Sequence, residues 1–144
     1  MQGSKPVIWR EYVETGQLKF VFWPVLNHGD ASFNATKAVE CVARQDMDAF
    51  WRMHAAVFGE ASSLYRAGRP FYLEMALEFG IDGPTFEACY DDPATGEFVV
   101  GLDDIRRERG IVGQPVFDIG GQILFGNQPY PTFAELIELK LAGG

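Results

Sequence analysis

Two cysteines, two histidines and two adjacent acid pairs are the residues of this 144-residue chain whose types suggest chemistry. Thiol–disulfide exchange needs one thiolate of lowered pKa held at a helix start and a second thiol close enough to resolve the mixed disulfide. Cys41 and Cys89 are far apart in sequence, and neither sits at an evident electropositive helix start. Read as residues alone they are buried free thiols acting as small hydrophobes, with a redox pair as the competing assignment. Metal binding would require His28 or His54 to meet cysteines or carboxylates at ligand spacing, and no such spacing occurs, so neither a metal nor a cofactor is expected. His54 shares an apolar helical face with Phe50 and Phe58 and reads as a core histidine, whereas His28 reads as a solvated loop residue. The pairs Asp91-Asp92 and Asp103-Asp104 have the right chemistry for general acid and base, but nothing in the sequence places them in a cleft. No residue is therefore assigned a catalytic role.

The remaining candidate is a backbone feature. Gly110-Ile111-Val112-Gly113-Gln114-Pro115-Val116-Phe117 leads into Asp118-Ile119, then Gly120-Gly121, then Gln122-Ile123-Leu124-Phe125-Gly126. This reads as a loop with an X-Pro bond, a short strand, a Gly-Gly turn and a second short strand, that is, a β-hairpin entered through a proline. Proline cannot donate to a ladder and so belongs at a strand start, in a trans bond by frequency or in a cis bond. Gly120-Gly121 is a hairpin turn and not a strand-to-helix phosphate loop.

Around these residues the chain supplies mostly helices. Ser4 and Pro6 open a helix carrying Val7, Ile8, Tyr12 and Val13, and Gly16 closes it. Leu18-Lys19-Phe20-Val21-Phe22 has strand composition, closed by Pro24. Asp30 or Ser32 caps a helix through Ala35, Ala38, Val39, Val42 and Ala43. Further helices are expected from Asp46 to Phe58, from Arg69 to Phe79, from Pro84 to Tyr90, and through Phe98, Val99, Leu102 and Ile105 to Gly110. A Thr132-to-Glu135 capping box opens the last helix. Trp9, Trp23 and Trp51 are expected in the core, and an exposed Trp23 beside Pro24 would instead mark an interface.

Bulk properties set limits on this reading. The length fits one domain, residues 1–144, and 47% apolar with 22% charged residues is globular composition. A net charge of −8 argues against nucleic acid as a partner. No apolar run approaches a membrane span, and no signal-peptide core follows Met1, so the chain as it stands reads as cytoplasmic.

The proline-entered hairpin, with its glycines, resembles the cis-proline segment of thioredoxin-fold proteins of the DsbA-like class. It departs from that family at Gln114, where Thr or Val is usual. The resemblance extends to Tyr12–Phe22, to Ser32–Cys41, to Phe50-Trp51-x-x-His54-x-x-x-Phe58, and to Ile81-Asp82 with Phe86-x-x-Cys89. It implies an α/β thioredoxin-like fold with a helical insertion, at about residues 30–109, between the second and third core strands. It also implies that Gln114, Pro115 and Val116 face a substrate peptide, and that Cys41 and Cys89 pair in a structural disulfide, as in some exported members.

The family's first core strand and its Cys-x-x-Cys are not encoded in this chain. The chemistry of thiol–disulfide oxidoreductases therefore maps onto no residue here. Leu18–Phe22 also lacks the neighbour that the family gives it, and three repairs are open: a partner chain inserts a strand, the segment pairs with Val116–Ile119 directly, or two copies join sheet edges. Two functional expectations follow: part of a longer, exported DsbA-like oxidoreductase, in which the activity belongs to the parent and this chain is inert, or a naturally shortened relative reusing the groove at Pro115 as a peptide-binding or dimerisation module.

Overall fold

The structure, a computed structural model, describes residues 3–143. The chain divides into two compact units, one built from its two ends (up to Trp23 and from Arg109 onward) and one helical (Pro24–Glu108).

In the first unit, helix α1 (Lys5–Ile8) carries Pro6 in its first turn and continues as a π-helical turn, Trp9–Val13. Gly16 ends this segment at φ +77°, a conformation that a side chain would oppose. The expected Ser4 cap does not form: its hydroxyl instead donates to the Gln128 carbonyl at 2.9 Å. Strands β1 (Val116–Ile119) and β2 (Gln122–Phe125) pair antiparallel, with Val116 opposite Phe125 and Ile119 opposite Gln122. Helix α7 (Tyr130–Ala142) follows. It begins two residues before the expected capping box, with Pro131 in its first turn, so Thr132 and Glu135 lie inside the helix and no side chain caps it. Ile8, Tyr12, Phe133 and Ile137 form the core, against which Leu18, Phe117, Ile119 and Leu124 pack. The Tyr12 hydroxyl donates to Glu138 at 2.9 Å and the Tyr130 hydroxyl to Glu11, tying both ends of the chain together.

The strand expected at Leu18–Phe22 does not form, and the sheet among the described residues is the β1–β2 hairpin alone. Its aromatic and branched residues favour strand only where a ladder holds them. Direct pairing of this segment with Val116–Ile119 is thereby corrected. Trp23, expected in the core, is 40% exposed.

The second unit contains α2 (Asp30–Ala43), α3 (Met47–Gly59), α4 (Arg69–Glu78), α5 (Gly83–Asp91) and α6 (Pro93–Glu108). Helix α2 is the hub, packing against each of the other four. Its buried face is made of Ala35, Ala38, Val39, Cys41 and Val42, small enough for neighbouring helices to approach closely. Neither Asp30 nor Ser32 caps it: Gly29 stands at the cap position, and the Ser32 hydroxyl donates to the Gly29 carbonyl. Asp46 and Asp82 do cap, their carboxylates accepting from the Ala49 and Thr85 amides. His54 is buried beside Phe50 and Trp51, while Phe58, on the expected apolar stripe, is mostly exposed. No described helix is long and apolar enough to cross a membrane.

Tyr72 is fully buried beside Phe71 and Tyr90, and its hydroxyl has no hydrogen-bond partner among the described residues. Burial pushes its phenol up to about 12, with the nearby Tyr90 adding to the effect. A buried donor without a partner carries its desolvation cost uncompensated, so Tyr72→Phe is expected to leave stability within about 1 kcal/mol of the parent or raise it. Phe86→Ala in the same unit is expected to cost about 3–5 kcal/mol. Urea unfolding separates the two, and a loss of several kcal/mol from Tyr72→Phe would contradict the assignment.

Candidate functional site

The proline loop belongs to the end-built unit. Gly110 and Gly113 hold φ values of +68° and +82°, letting the loop reverse direction before Gln114, and the Gln114–Pro115 peptide is cis. The Gly126 amide donates to the Pro115 carbonyl at 2.9 Å, which pins the proline to the end of β2. Gln114 is exposed, and Pro115 and Val116 are half-buried.

Side-chain alternation along β1 then fixes the surroundings. Phe117 turns inward, edge-on to Phe133 with ring centroids 4.8 Å apart. Val116 therefore turns outward, on the same face as its cross-strand neighbour Phe125. Phe125 is 58% exposed and Val112, in the loop, 67%. Phe125, across from Val116, and Val112, three residues before the proline, are exposed apolar side chains that the sequence reading did not single out. The signal available was the alternation in Gln122–Phe125, which puts Phe125 opposite Val116 once the Gly-Gly turn sets the register.

In the helical unit, Cys41 on α2 and Cys89 on α5 are bonded to each other, with sulfurs 2.03 Å apart, and no free cysteine remains among the described residues. Cys41 is fully buried and Cys89 partly accessible. The Thr95 hydroxyl lies 3.7 Å from the Cys89 sulfur and accepts from Arg44 at 3.2 Å. This pair therefore staples two helices. The pairing that the family resemblance implies is formed, and the alternative of two free buried thiols is not.

The acid pairs separate. Asp91, Asp92 and Asp104 border one shallow depression of about 490 Å³ together with Lys37 and Glu97. Asp91 is engaged by Arg69 at 2.5 Å, and Asp92 accepts from the Ala94 amide at 2.9 Å. No three possible metal ligands gather among the described residues. His28 remains exposed, its Nδ1 3.3 Å from the Tyr65 hydroxyl.

Asp103, whose burial nothing in the sequence indicated, is only 2% exposed. It accepts from the Leu26 amide at 3.1 Å and pairs with Arg106 at 2.6 Å and Arg107 at 2.7 Å. The spacing of three and four was visible in the sequence, although the burial was not. Burial alone would raise its carboxyl, but the Leu26 amide and the two guanidinium groups outweigh that and hold it below the ordinary value of 3.8.

Two predictions follow from the helical unit. Because the Asp103 carboxyl is depressed in the fold, its stabilisation is complete above the ordinary 3.8 and is lost as pH falls through the lower folded value. Asp103→Asn is therefore expected to cost about 3–5 kcal/mol near neutrality and to flatten the acid limb of a stability-versus-pH curve. An unchanged acid limb would contradict the assignment. Replacing both cysteines by serine is expected to lower stability by up to about 4 kcal/mol, from the loop closed over 48 positions. Thermal unfolding of the double variant checks this, and an unchanged midpoint would contradict it.

Comparison with known proteins adds a family. The chain is 24% identical over 151 aligned positions to disulfide bond formation protein D of Bacillus subtilis (strain 168), an alignment covering 96% of this chain and 64% of that protein. The chain thus spans just under two thirds of the length of this relative. The profile of the DSBA-like thioredoxin domain matches residues 10–138, from the π-helical turn to α7. With a proline-entered hairpin packed on a terminal helix, and α2–α6 in the place of a helical insertion, the chain belongs to the DSBA-like thioredoxin domain family.

Proposed function

We propose that this chain acts as a peptide-facing DsbA-like domain without thiol–disulfide exchange of its own. One observation carries the reading: its two cysteines are bonded to each other between α2 and α5, with Cys41 fully buried, so no thiol is placed to attack a substrate disulfide. The relative's name ties that protein to disulfide bond formation. Here the corresponding role is narrowed to contact with an extended peptide. Gln114, Pro115 and Val116 provide the contact, with Val112 and Phe125 as its apolar border. An exposed main-chain stretch flanked by apolar side chains suits a peptide, because backbone hydrogen bonds supply affinity and alternate side chains supply selectivity.

Reduction of insulin disulfides tests the main reading. With dithiol as the electron source, the chain is expected to give precipitation no faster than dithiol alone. Turnover above that background, abolished in the Cys41→Ser and Cys89→Ser double variant, would overturn it.

A further inference from the structure

The bond between Cys41 and Cys89 is asymmetric in what surrounds each of its two residues. Cys41 is fully buried on the hub helix α2, whereas Cys89, in the last turn of α5, is partly accessible. Among the described residues α5 packs on α2, α4 and α6, all of the helical unit, so the asymmetry belongs to that unit alone. A disulfide sulfur carries no proton, so across the 3.7 Å contact between Cys89 Sγ and the Thr95 hydroxyl the hydroxyl is the donor. Thr95 is itself fully buried, and its oxygen accepts from Arg44 Nη1 at 3.2 Å, which strengthens its donation. Glu40 holds the Nε side of the same guanidinium at 2.9 Å. The carboxylates that follow in the chain are engaged elsewhere, Asp91 by Arg69 and Asp92 by the Ala94 amide. A sulfur in the last turn of a helix meets the negative end of its dipole. The Thr95 hydroxyl, backed by Arg44, offsets that field at Cys89.

We propose that Cys89 is a site of S-thiolation, the sulfur at which this bond exchanges with a low-molecular-weight thiol, while Cys41 acts as the leaving and re-closing group. Partial accessibility suits a small thiol better than the thiol of a folded protein. The thiolate of the small molecule attacks Cys89 Sγ, the bond to Cys41 breaks, and Cys89 is left in a mixed disulfide. Cys41 leaves as the thiolate and takes up the proton that the small thiol lost, so one disulfide replaces another with no net oxidation. In the reverse step the Cys41 thiolate attacks Cys89 Sγ and expels the small thiolate. Starting from the reduced chain, the Cys89 thiolate attacks a low-molecular-weight disulfide and releases one thiolate, after which Cys41 closes the bond by expelling the second. The chain then loses the two electrons that the small disulfide gains.

Burial disfavours the Cys41 thiolate, so the closed bond is restored wherever the small thiol is scarce. Exchange at Cys89 therefore leaves no standing pair of thiols to turn over a protein substrate, and the expectation for insulin is unchanged. No residue of the proline loop enters the exchange, so its failure and that of the peptide-facing reading are told apart.

Treating the oxidised 144-residue chain with excess reduced glutathione, quenching in acid and mapping peptides by mass tests the site. One glutathione is expected on the peptide carrying Cys89 and none on that carrying Cys41. Glutathione on Cys41, on both sulfurs equally, or on neither would overturn the proposal. Single-thiol variants give a second measurement. The Cys89 thiol of Cys41→Ser is expected to react with oxidised glutathione at least about tenfold faster than the Cys41 thiol of Cys89→Ser, with the difference abolished in urea. Equal rates in variants of native circular dichroism would overturn the assignment, and the peptide map on the parent chain does not depend on how the variants fold. Thr95→Val added to Cys41→Ser is expected to slow Cys89 and to move its rate-against-pH profile to higher pH. A profile that stays in place would overturn the positioning role of Thr95, since lost packing alone would not move it.

Discussion

The edge-on contact of Phe117 with Phe133 decides how the end-built unit presents itself. A strand alternates its side chains with a period of two, so anchoring one residue on α7 settles the direction of every other residue in β1. Phe117, Ile119 and Leu124 are committed to the core of Ile8, Tyr12, Phe133 and Ile137, and Val116 and Phe125 to the opposite face. The same phase divides the backbone, giving the amides of Phe117 and Ile119 to β2 and leaving those of Val116 and Asp118 outward. A one-residue slip would bury Val116 and Asp118 in place of Phe117 and Ile119, burying a carboxylate that Arg109 now holds. The proposed peptide contact therefore depends on one aromatic contact and the register it sets.

The helical unit is organised by a different constraint. Small residues on α2 let four helices reach it, and the Cys41–Cys89 bond fixes one of them covalently. Asp103 holds the unit's first residues through the Leu26 amide and is itself neutralised by Arg106 and Arg107. A buried carboxylate is tolerated only when several donors meet it, as here. These groups are occupied in structural roles, and the exposed acids around Lys37 are partly spent on Arg69 and on a backbone amide. The unit thus carries the negative charge of the molecule while its titratable core is taken up by packing.

Much of this was legible in the sequence where one local rule acted alone. Helices α2 to α6 follow the spacing of their apolar residues, and the hairpin follows Gly120-Gly121 between two apolar runs. Legibility failed where a distant partner decided the outcome. Leu18–Phe22 has the composition of a strand, but a strand exists only with a ladder. Ser4 has the chemistry of a cap and spends its hydroxyl on Gln128, which is remote in sequence. Asp103 and Asp104 are adjacent and alike, yet one is buried and the other borders an open depression, because helical rotation separates neighbours by about 100°. At the proline loop, turn chemistry pointed to the hairpin, and the family resemblance singled out Gln114, Pro115 and Val116 as candidates. Val112 and Phe125 needed the register as well.

The central claim is that function resides in the proline-entered hairpin and not at the bonded cysteines. Backbone chemical-shift mapping by NMR during titration with an extended, apolar peptide addresses it most directly. The account predicts perturbations gathered on Val112, Gln114, Val116 and Phe125, with the surroundings of Cys41 and Cys89 unmoved. Perturbations clustered around Cys89 and Thr95, with the hairpin silent, would contradict it.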